Sequence, residues 1–523
     1  MGNKTDKYSI DSTDYTVGQD NVQKWGFDVH NPVFSLSAGL VLLFLVATLV
    51  TDPATAKAAL DGLKWNIIGT FDAFFMWSGN FFVIFCLALL VSPYGSIRLG
   101  GVNAKPTHST LSWLAMLFAA GMGIGLMFWG VAEPVAYLTG WYKTPLGVEA
   151  NTPEAARMAM GATMYHWGLH PWAIYCVVGL SLAFFCYNKG LPLSIRSIFY
   201  PLLGDRAWGW PGHLIDVLAV LATLFGLATS LGMGAQQAAA GINHVFGIES
   251  SIGLQILVII GVTLLAIISV IRGIEGGVKI LSNVNMVIAF ALLAFVTMTA
   301  AAVALGNLPT TLGAYIENII PLSNPHGRED EAWFQGWTVF YWAWWISWSP
   351  FVGMFIARVS EGRTIREFLT AVLLVPTLVT VIWMSIYGGI AIDQVLNNVG
   401  ALGTNGLTEV PLAMFQMFDE LPMGTLMSVI AIVLVLVFFI TSSDSGSLVI
   451  DSITAGGKID APVPQRIFWA TLEGAIAIAL LWIGGTEAIQ ALQAGAISTG
   501  LPFTVVLLLM CVSLLMGLRT ERR

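Results

Sequence analysis

The sequence predicts an all-α polytopic membrane protein with twelve transmembrane helices, and three observations predict it. Of its 523 residues, 56% are hydrophobic and only 10% are charged, against about 25% charged in a soluble domain. The apolar residues gather in runs near or above the roughly 20 that a helix needs to cross a bilayer. These runs are continuous, whereas the strands of a membrane barrel alternate. A soluble enzyme, a disordered chain and a nucleic-acid binder are thereby excluded, and a net charge of −8 offers no basic surface to nucleic acid.

Residues 1–32 are polar, carry both charges and hold no signal-peptide apolar core. They read as a cytoplasmic N-terminal tail from which the first span inserts directly. The spans are predicted at 33–51, 69–92, 109–138, 160–187, 212–240, 251–271, 280–305, 333–358, 366–392, 422–450, 466–484 and 489–517. Spans 1 and 2, within 33–108, stand apart from the rest as two peripheral helices. Residues 306–332 are too polar and too short a run to cross, and 306–325 read as an amphipathic helix on the outer surface. Residues 518–523 are a short cytoplasmic tail. With the N-terminus inside, eighteen of the 23 Lys and Arg fall in inner segments and five in outer loops. That asymmetry places both termini in the cytoplasm. Cys86, Cys176, Cys186 and Cys511 lie in apolar runs without a CxxC spacing, and read as small buried hydrophobes.

Two spans depart from a plain lipid-facing pattern. Span 3 places Gly121, Gly123 and Gly125 within five residues. Each glycine costs a helix about 1 kcal/mol relative to alanine, so an unwound stretch is expected there. Span 8 carries Trp342, Trp344, Trp345 and Trp348 at mid-depth, followed by Pro350. Membrane tryptophans normally sit at the interfaces, and four buried indole N–H groups call for acceptors or a polar cavity. A proline there predicts a second broken helix. The two spans are five apart, an odd offset that reverses direction across the membrane. Spans 3–7 (within 109–305) and 8–12 (within 333–517) therefore read as an inverted repeat with its broken helices meeting at the midplane, the plan of many secondary transporters.

At these residues the sequence resembles the betaine/choline/carnitine transporter (BCCT) family. GMGIGLMFWGVAEP at 121–134 resembles the family's glycine stretch, YHWGLHPWAIY at 165–175 its fourth span, WAWWISWSPFVGMFIARVSEGRTIREF at 342–368 its long signature, and FFITSSDSGS at 438–447 its tenth span. The resemblance runs through all twelve spans. It implies a sodium-symporter-like (LeuT-like) 5+5 inverted repeat, a homotrimer, and residence in a bacterial cytoplasmic (inner) membrane. It also implies a small quaternary ammonium or sulfonium substrate, with sodium as coupling ion and no cofactor.

Such a cation donates no strong hydrogen bond and is held by aromatic faces, at about 0.5–2 kcal/mol each. The resemblance assigns Trp167, Trp172, Tyr175 and Trp345 to a central aromatic box and Trp344 and Trp348 to nearby pathway positions, with Pro171 expected to bend span 4. Choline carriers of the family tend to have Asp where this chain has Gly125, which favours a zwitterion such as glycine betaine or dimethylsulfoniopropionate (DMSP) over choline. Its carboxylate would meet the freed amides of Gly121, Gly123 and Gly125. The resemblance maps a sodium site to the backbone of Ala119, Met122 and Phe438 and the side chains of Thr441 and Ser442. The bland alternative for those hydroxyls is a bond to their own helix. A second family site would use Thr223 and Phe351, but Leu227 replaces its other hydroxyl. Family antiporters that exchange carnitine without sodium carry Met where this chain has Val352, so symport is expected over antiport.

Other signals read as structural. His166 and His170 lack a third zinc ligand. Glu133, before Pro134, reads as a backbone cap near the outer end of span 3, and Asp444 as an organiser of neighbouring hydroxyls. No phosphate loop, triad or paired carboxylates occur, so neither an ATP-driven pump nor an enzyme is expected. A channel would show a pore motif repeated by symmetry, and a sensor a soluble output domain.

Overall fold

The computed structural model describes residues 13–121, 123–272 and 279–521. Among them the chain is mostly helical, with one small hairpin. Strands β1 (Asn21–Lys24) and β2 (Phe27–His30) pair antiparallel around Trp25 and Gly26, both at positive φ, as a two-residue primed turn requires. The hairpin is docked: Asn21 Nδ2 donates to Ala455 O at 2.9 Å, and Asp28 pairs with Lys458. Part of the predicted tail is thus folded against the segment around Ala455 and Lys458.

Numbering only helices longer than ten residues, α1 is Asn31–Val50, α2 Pro53–Val91, α3 Thr110–Gly121, α4 Ile124–Thr139, α5 Pro153–Trp167 and α6 Leu169–Tyr187. Then follow α7 Trp210–Phe246, α8 Ile252–Arg272, α9 Lys279–Thr299 and α10 Ala301–Leu322. The last five are α11 Thr338–Val359, α12 Ile365–Leu396, α13 Gly424–Thr454, α14 Val463–Gly484 and α15 Ala488–Thr520. Eight helical segments among the described residues are long and apolar enough to cross a membrane, or nine if the bent pair α9–α10 counts as one.

Three elements differ from expectation, each for a local reason. Helix α2 starts sixteen residues before the predicted span, at Pro53, with Asp52 accepting from Thr55 N at 3.0 Å. Its 39 residues give about 58 Å, twice a bilayer core of about 30 Å, so the predicted outer segment is helical. Helix α10, which overlaps the predicted amphipathic segment, turns 106° from α9. It buries Ala304, Thr311, Ala314, Tyr315, Asn318 and Leu322 along one face. The opposite side exposes Leu305, Leu312, Ile316 and Ile320, with Thr310 and Glu317 exposed at its edge.

The predicted break in span 8 is absent: α11 is one helix through Pro350. Proline removes the donor that Ile346 O would receive. Ser349 Oγ replaces it, donating to Ile346 O at 2.7 Å. The second interruption lies in span 4 instead, between α5 and α6, where Gly168 (φ −96°, ψ −126°) parts the ladder three residues before Pro171.

Candidate functional site

Two helix interruptions and one intact helix meet around a small cavity. On one side α3 ends at Gly121 and α4 begins at Ile124, with Gly123 extended between them (φ −171°, ψ −177°). Leu126 N donates to Gly123 O at 3.2 Å, whereas the amides of Ile124 and Gly125, two residues that line the cavity, precede the first intrahelical acceptor. On a second side, the interruption at Gly168 frees backbone groups that other helices satisfy. Thr380 Oγ1 donates to Trp167 O (3.1 Å), Trp345 Nε1 donates to His166 O (2.9 Å), and Leu169 N donates to Tyr315 Oη of α10 (2.9 Å). Helix α10 thereby holds the interruption in place.

The cavity encloses about 50 Å3, a few times the ~10–15 Å3 that one water needs. Gly123, Ile124, Gly125 and Leu126 line one end; Trp167, Trp172, Tyr175, Trp344, Trp345 and Trp348 line the rest, with Pro171, Ser230, Val352 and Thr380. All six sequence-named aromatics are therefore brought together. Trp344 and Trp345 stack at 4.6 Å and 17°. Trp167 stands at 73° to Trp345 with centroids 4.9 Å apart, and Tyr175 at 80° and 6.4 Å. Trp172 meets Tyr175 at 78° and 5.2 Å. The rings thus form walls near right angles, the arrangement in which aromatic edges and faces attract.

The indole N–H groups explain how these rings are fixed. Trp348 and Trp344 both donate to Gly226 O of α7, at 2.9 and 3.4 Å. Gly226 admits them because a Cβ there would stand 3.0 Å from Trp348 Cδ1. Gly125 is needed in the same way: its Cβ would lie 2.6 Å from Trp167 Cη2 and 3.1 Å from Trp344 Cη2. Gly123 is different, with nothing within 4 Å of a Cβ. Trp342 Nε1 finds no acceptor among the described residues; its ring stacks on His170 at 5.0 Å and 12°, outside the cavity lining.

Sequence reasoning misplaced one residue. Glu133 is not a cap at the outer end of span 3. It lies inside α4 with no exposed surface, and its carboxylate accepts from four side chains. Oε1 receives Tyr137 Oη and His166 Nδ1, both at 2.9 Å; Oε2 receives Trp167 Nε1 at 2.7 Å and Tyr341 Oη. An acid therefore stands directly behind a wall of the cavity. The available signal was an ionisable residue within a span, which is costly there and functional by default. Asp444, in turn, accepts from Ser269 Oγ of α8 at 2.6 Å, rather than from its own neighbours.

The residues named for sodium are described in part. Met122 and the side chain of Ala119 lie outside the described residues. Phe438 is buried on α13, and Thr441 and Ser442 are half-buried there. Thr441 Oγ1 donates to Val437 O (3.0 Å) and Phe438 O (3.1 Å), so its proton serves its own helix while its lone pairs stay available. At the second site, Thr223 Oγ1 donates to Ala219 O at 2.7 Å, and Phe351 packs edge-on to Trp348 at 5.5 Å. Leu227 fills the groove over Gly446, whose Cβ would lie 2.2 Å from Leu227 Cδ1. The missing hydroxyl is thus replaced by apolar packing.

Residues 32–523 match the family described as BCCT, betaine/carnitine/choline family transporter. The chain is 78% identical over 518 residues to glycine betaine transporter 1 of Vibrio parahaemolyticus, covering 99% of each chain. It is 68% identical over 521 residues to that organism's glycine betaine/proline/choline/ectoine transporter, covering 100% of this chain and 93% of the relative. It is 43% identical over 496 residues to the glycine betaine transporter of Acinetobacter baylyi, covering 94% and 74%. A match over nearly the whole length makes the chain a multi-pass membrane transporter, not an enzyme, and it belongs to the betaine/carnitine/choline transporter (BCCT) family.

Proposed function

We propose that this protein imports a small zwitterionic quaternary ammonium or sulfonium compound, glycine betaine or DMSP, by sodium symport. The observation that carries the reading is the cavity where six aromatic side chains meet the start of α4. Its rings suit a cation that cannot hydrogen-bond, and the first-turn amides of Ile124 and Gly125 suit a carboxylate at the other end. The relatives named for glycine betaine support the same substrate class. Thr441 and Ser442, with the carbonyl groups at the α3–α4 interruption, are the proposed sodium ligands; beside Leu227, Thr223 and Phe351 lack the second hydroxyl that another sodium site would need. The proposed topology has twelve crossings, α3–α4 and α5–α6 each counting as one and α10 lying on the outer surface. Spans 3–7 and 8–12 form the inverted repeat, both termini are cytoplasmic, and the assembly is a homotrimer in a bacterial inner membrane.

Choline is a second reading with a specific observation in its favour, because Glu133 puts a negative charge beside the cavity wall and one relative is named for choline among other substrates. Uptake of radiolabelled glycine betaine, DMSP, carnitine and choline into proteoliposomes, with and without an inward sodium gradient, tests both. Uptake of a zwitterion that persists undiminished without sodium would refute symport.

A further inference from the structure

Glu133 has a role that cavity lining alone does not explain. A carboxylate has about four lone-pair sites when ionised, and a protonated one needs an acceptor for its own hydrogen. Here Tyr137, His166, Trp167 and Tyr341 all stand at hydrogen-bond distance from its two oxygens, and Tyr137 Oη also lies 3.0 Å from His166 Nδ1. His166 Nε2 lies 3.0 Å from Thr338 Oγ1, whose proton has no other acceptor among the described residues. With Thr338 donating to Nε2, the Nδ1–H of a neutral imidazole is shared between Glu133 Oε1 and Tyr137 Oη, and the carboxylate is assigned its negative charge on that arrangement. Four hydrogen bonds offset part of the cost of burying it.

One of those donors lines the cavity and a second backs a lining ring. Trp167 lines the cavity, and Tyr341 stacks on Trp345 at 5.8 Å and 26°. An anion that accepts the indole N–H and the phenol O–H sits at the outer edge of both rings, and its field points through them at whatever cation they face. We propose that Glu133 is the counter-charge of the cationic headgroup, acting through the Trp167 and Tyr341 rings rather than by contact. This rests on the aromatic cavity being the substrate site. It makes Glu133 a determinant of specificity between monocations and zwitterions. A unit charge about 10 Å from a monocation, at an effective dielectric of about 20, changes affinity roughly 10-fold. In a zwitterion the carboxylate opposes the same field, so the change falls to about 2- to 3-fold.

The test is binding of tetramethylammonium and of glycine betaine to the purified full-length protein at fixed sodium, by calorimetry. Glu133→Gln and Glu133→Met neutralise the charge with different shapes, so a folding failure in one leaves the other. Tyr341→Phe removes one hydrogen bond and keeps the charge. We expect both neutralising variants to weaken tetramethylammonium about 10-fold and glycine betaine no more than 3-fold, while Tyr341→Phe leaves the ratio of the two affinities within 2-fold of wild type. Equal losses for both ligands in the neutralising variants, or the same change of ratio in Tyr341→Phe, would overturn the inference and make Glu133 a packing residue. Wild-type protein that binds neither ligand would overturn the substrate site itself.

Discussion

Replacing Gly125 by alanine adds one methyl group where two tryptophans converge. The new Cβ would lie 2.6 Å from Trp167 Cη2 and 3.1 Å from Trp344 Cη2, whereas carbon atoms rest at about 3.5–4.0 Å. One ring, or the start of α4, must therefore retreat by about 1 Å. Trp167 cannot swing away freely, because its Nε1 is held 2.7 Å from Glu133 Oε2 and its ring packs at 73° against Trp345. Overpacking of this kind costs about 1–3 kcal/mol. If the strain is relieved by moving the wall, the same energy is lost from ligand binding, about 5- to 150-fold in affinity. Calorimetric titration of glycine betaine into G125A should show a loss in that range. G123A is the control: a Cβ there meets nothing within 4 Å, and its extended backbone suits any residue, so its affinity should stay within about 2-fold. Wild-type affinity in G125A, or an equal loss in G123A, would refute the idea that this glycine exists to admit the rings.

Trp345→Ala removes a wall that is buried and hydrogen-bonded to His166 O; binding should weaken by on the order of 2 kcal/mol, about 30-fold, in a tryptophan-fluorescence titration. The double change Thr441→Ala and Ser442→Ala should raise the sodium concentration for half-maximal uptake while the protein still purifies folded, and unchanged sodium dependence would leave those hydroxyls bonding only their own helix. Transport rate in proteoliposomes should be nearly independent of external osmolality at constant sodium gradient. A lipid-read switch takes clusters of 4–8 basic residues, whereas Arg519, Arg522 and Arg523 stand around Glu521, and Lys4, Lys7 and Lys24 stand among five aspartates. A several-fold rise with osmolality would contradict that.

The parts of the fold that were legible in the sequence are those fixed by local composition. Apolar runs located the helices, the glycine run located the α3–α4 interruption, and tryptophans at mid-span located one side of the cavity, because each breaks a rule that neighbours in sequence cannot repair. Pro350 misled for the complementary reason. Its missing donor predicted a kink, but Ser349, one residue away, supplies the hydrogen bond and the helix continues. Span 4 shows the reverse. Pro171 looked like the bend, yet the ladder parts at Gly168, where a Cβ would stand 2.6 Å from Tyr315 Oη. That contact comes from α10, about 150 residues downstream, and nothing local announces it.

Glu133 carries the same lesson into the site. Read beside Pro134 alone, a carboxylate in a span has one inexpensive explanation, a bond to nearby backbone. What keeps it buried is a set of donors from α4, α5 and α11, which only tertiary packing assembles. Those donors also decide the chemistry of the cavity. A wall of tryptophan and tyrosine is indifferent to the sign of whatever charge lies behind it, and an aromatic box alone separates a trimethylammonium group from an alkyl group by only about 0.5–2 kcal/mol per ring. With an uncompensated carboxylate at the outer edge of two rings, the same box favours positive charge at longer range and without direct contact. The price of that arrangement is a buried anion, and an anion in a membrane span persists only where every lone pair is occupied. The four hydrogen bonds to Glu133 and the ring geometry of Trp167 and Tyr341 are therefore one structure, and neither is explained without the other.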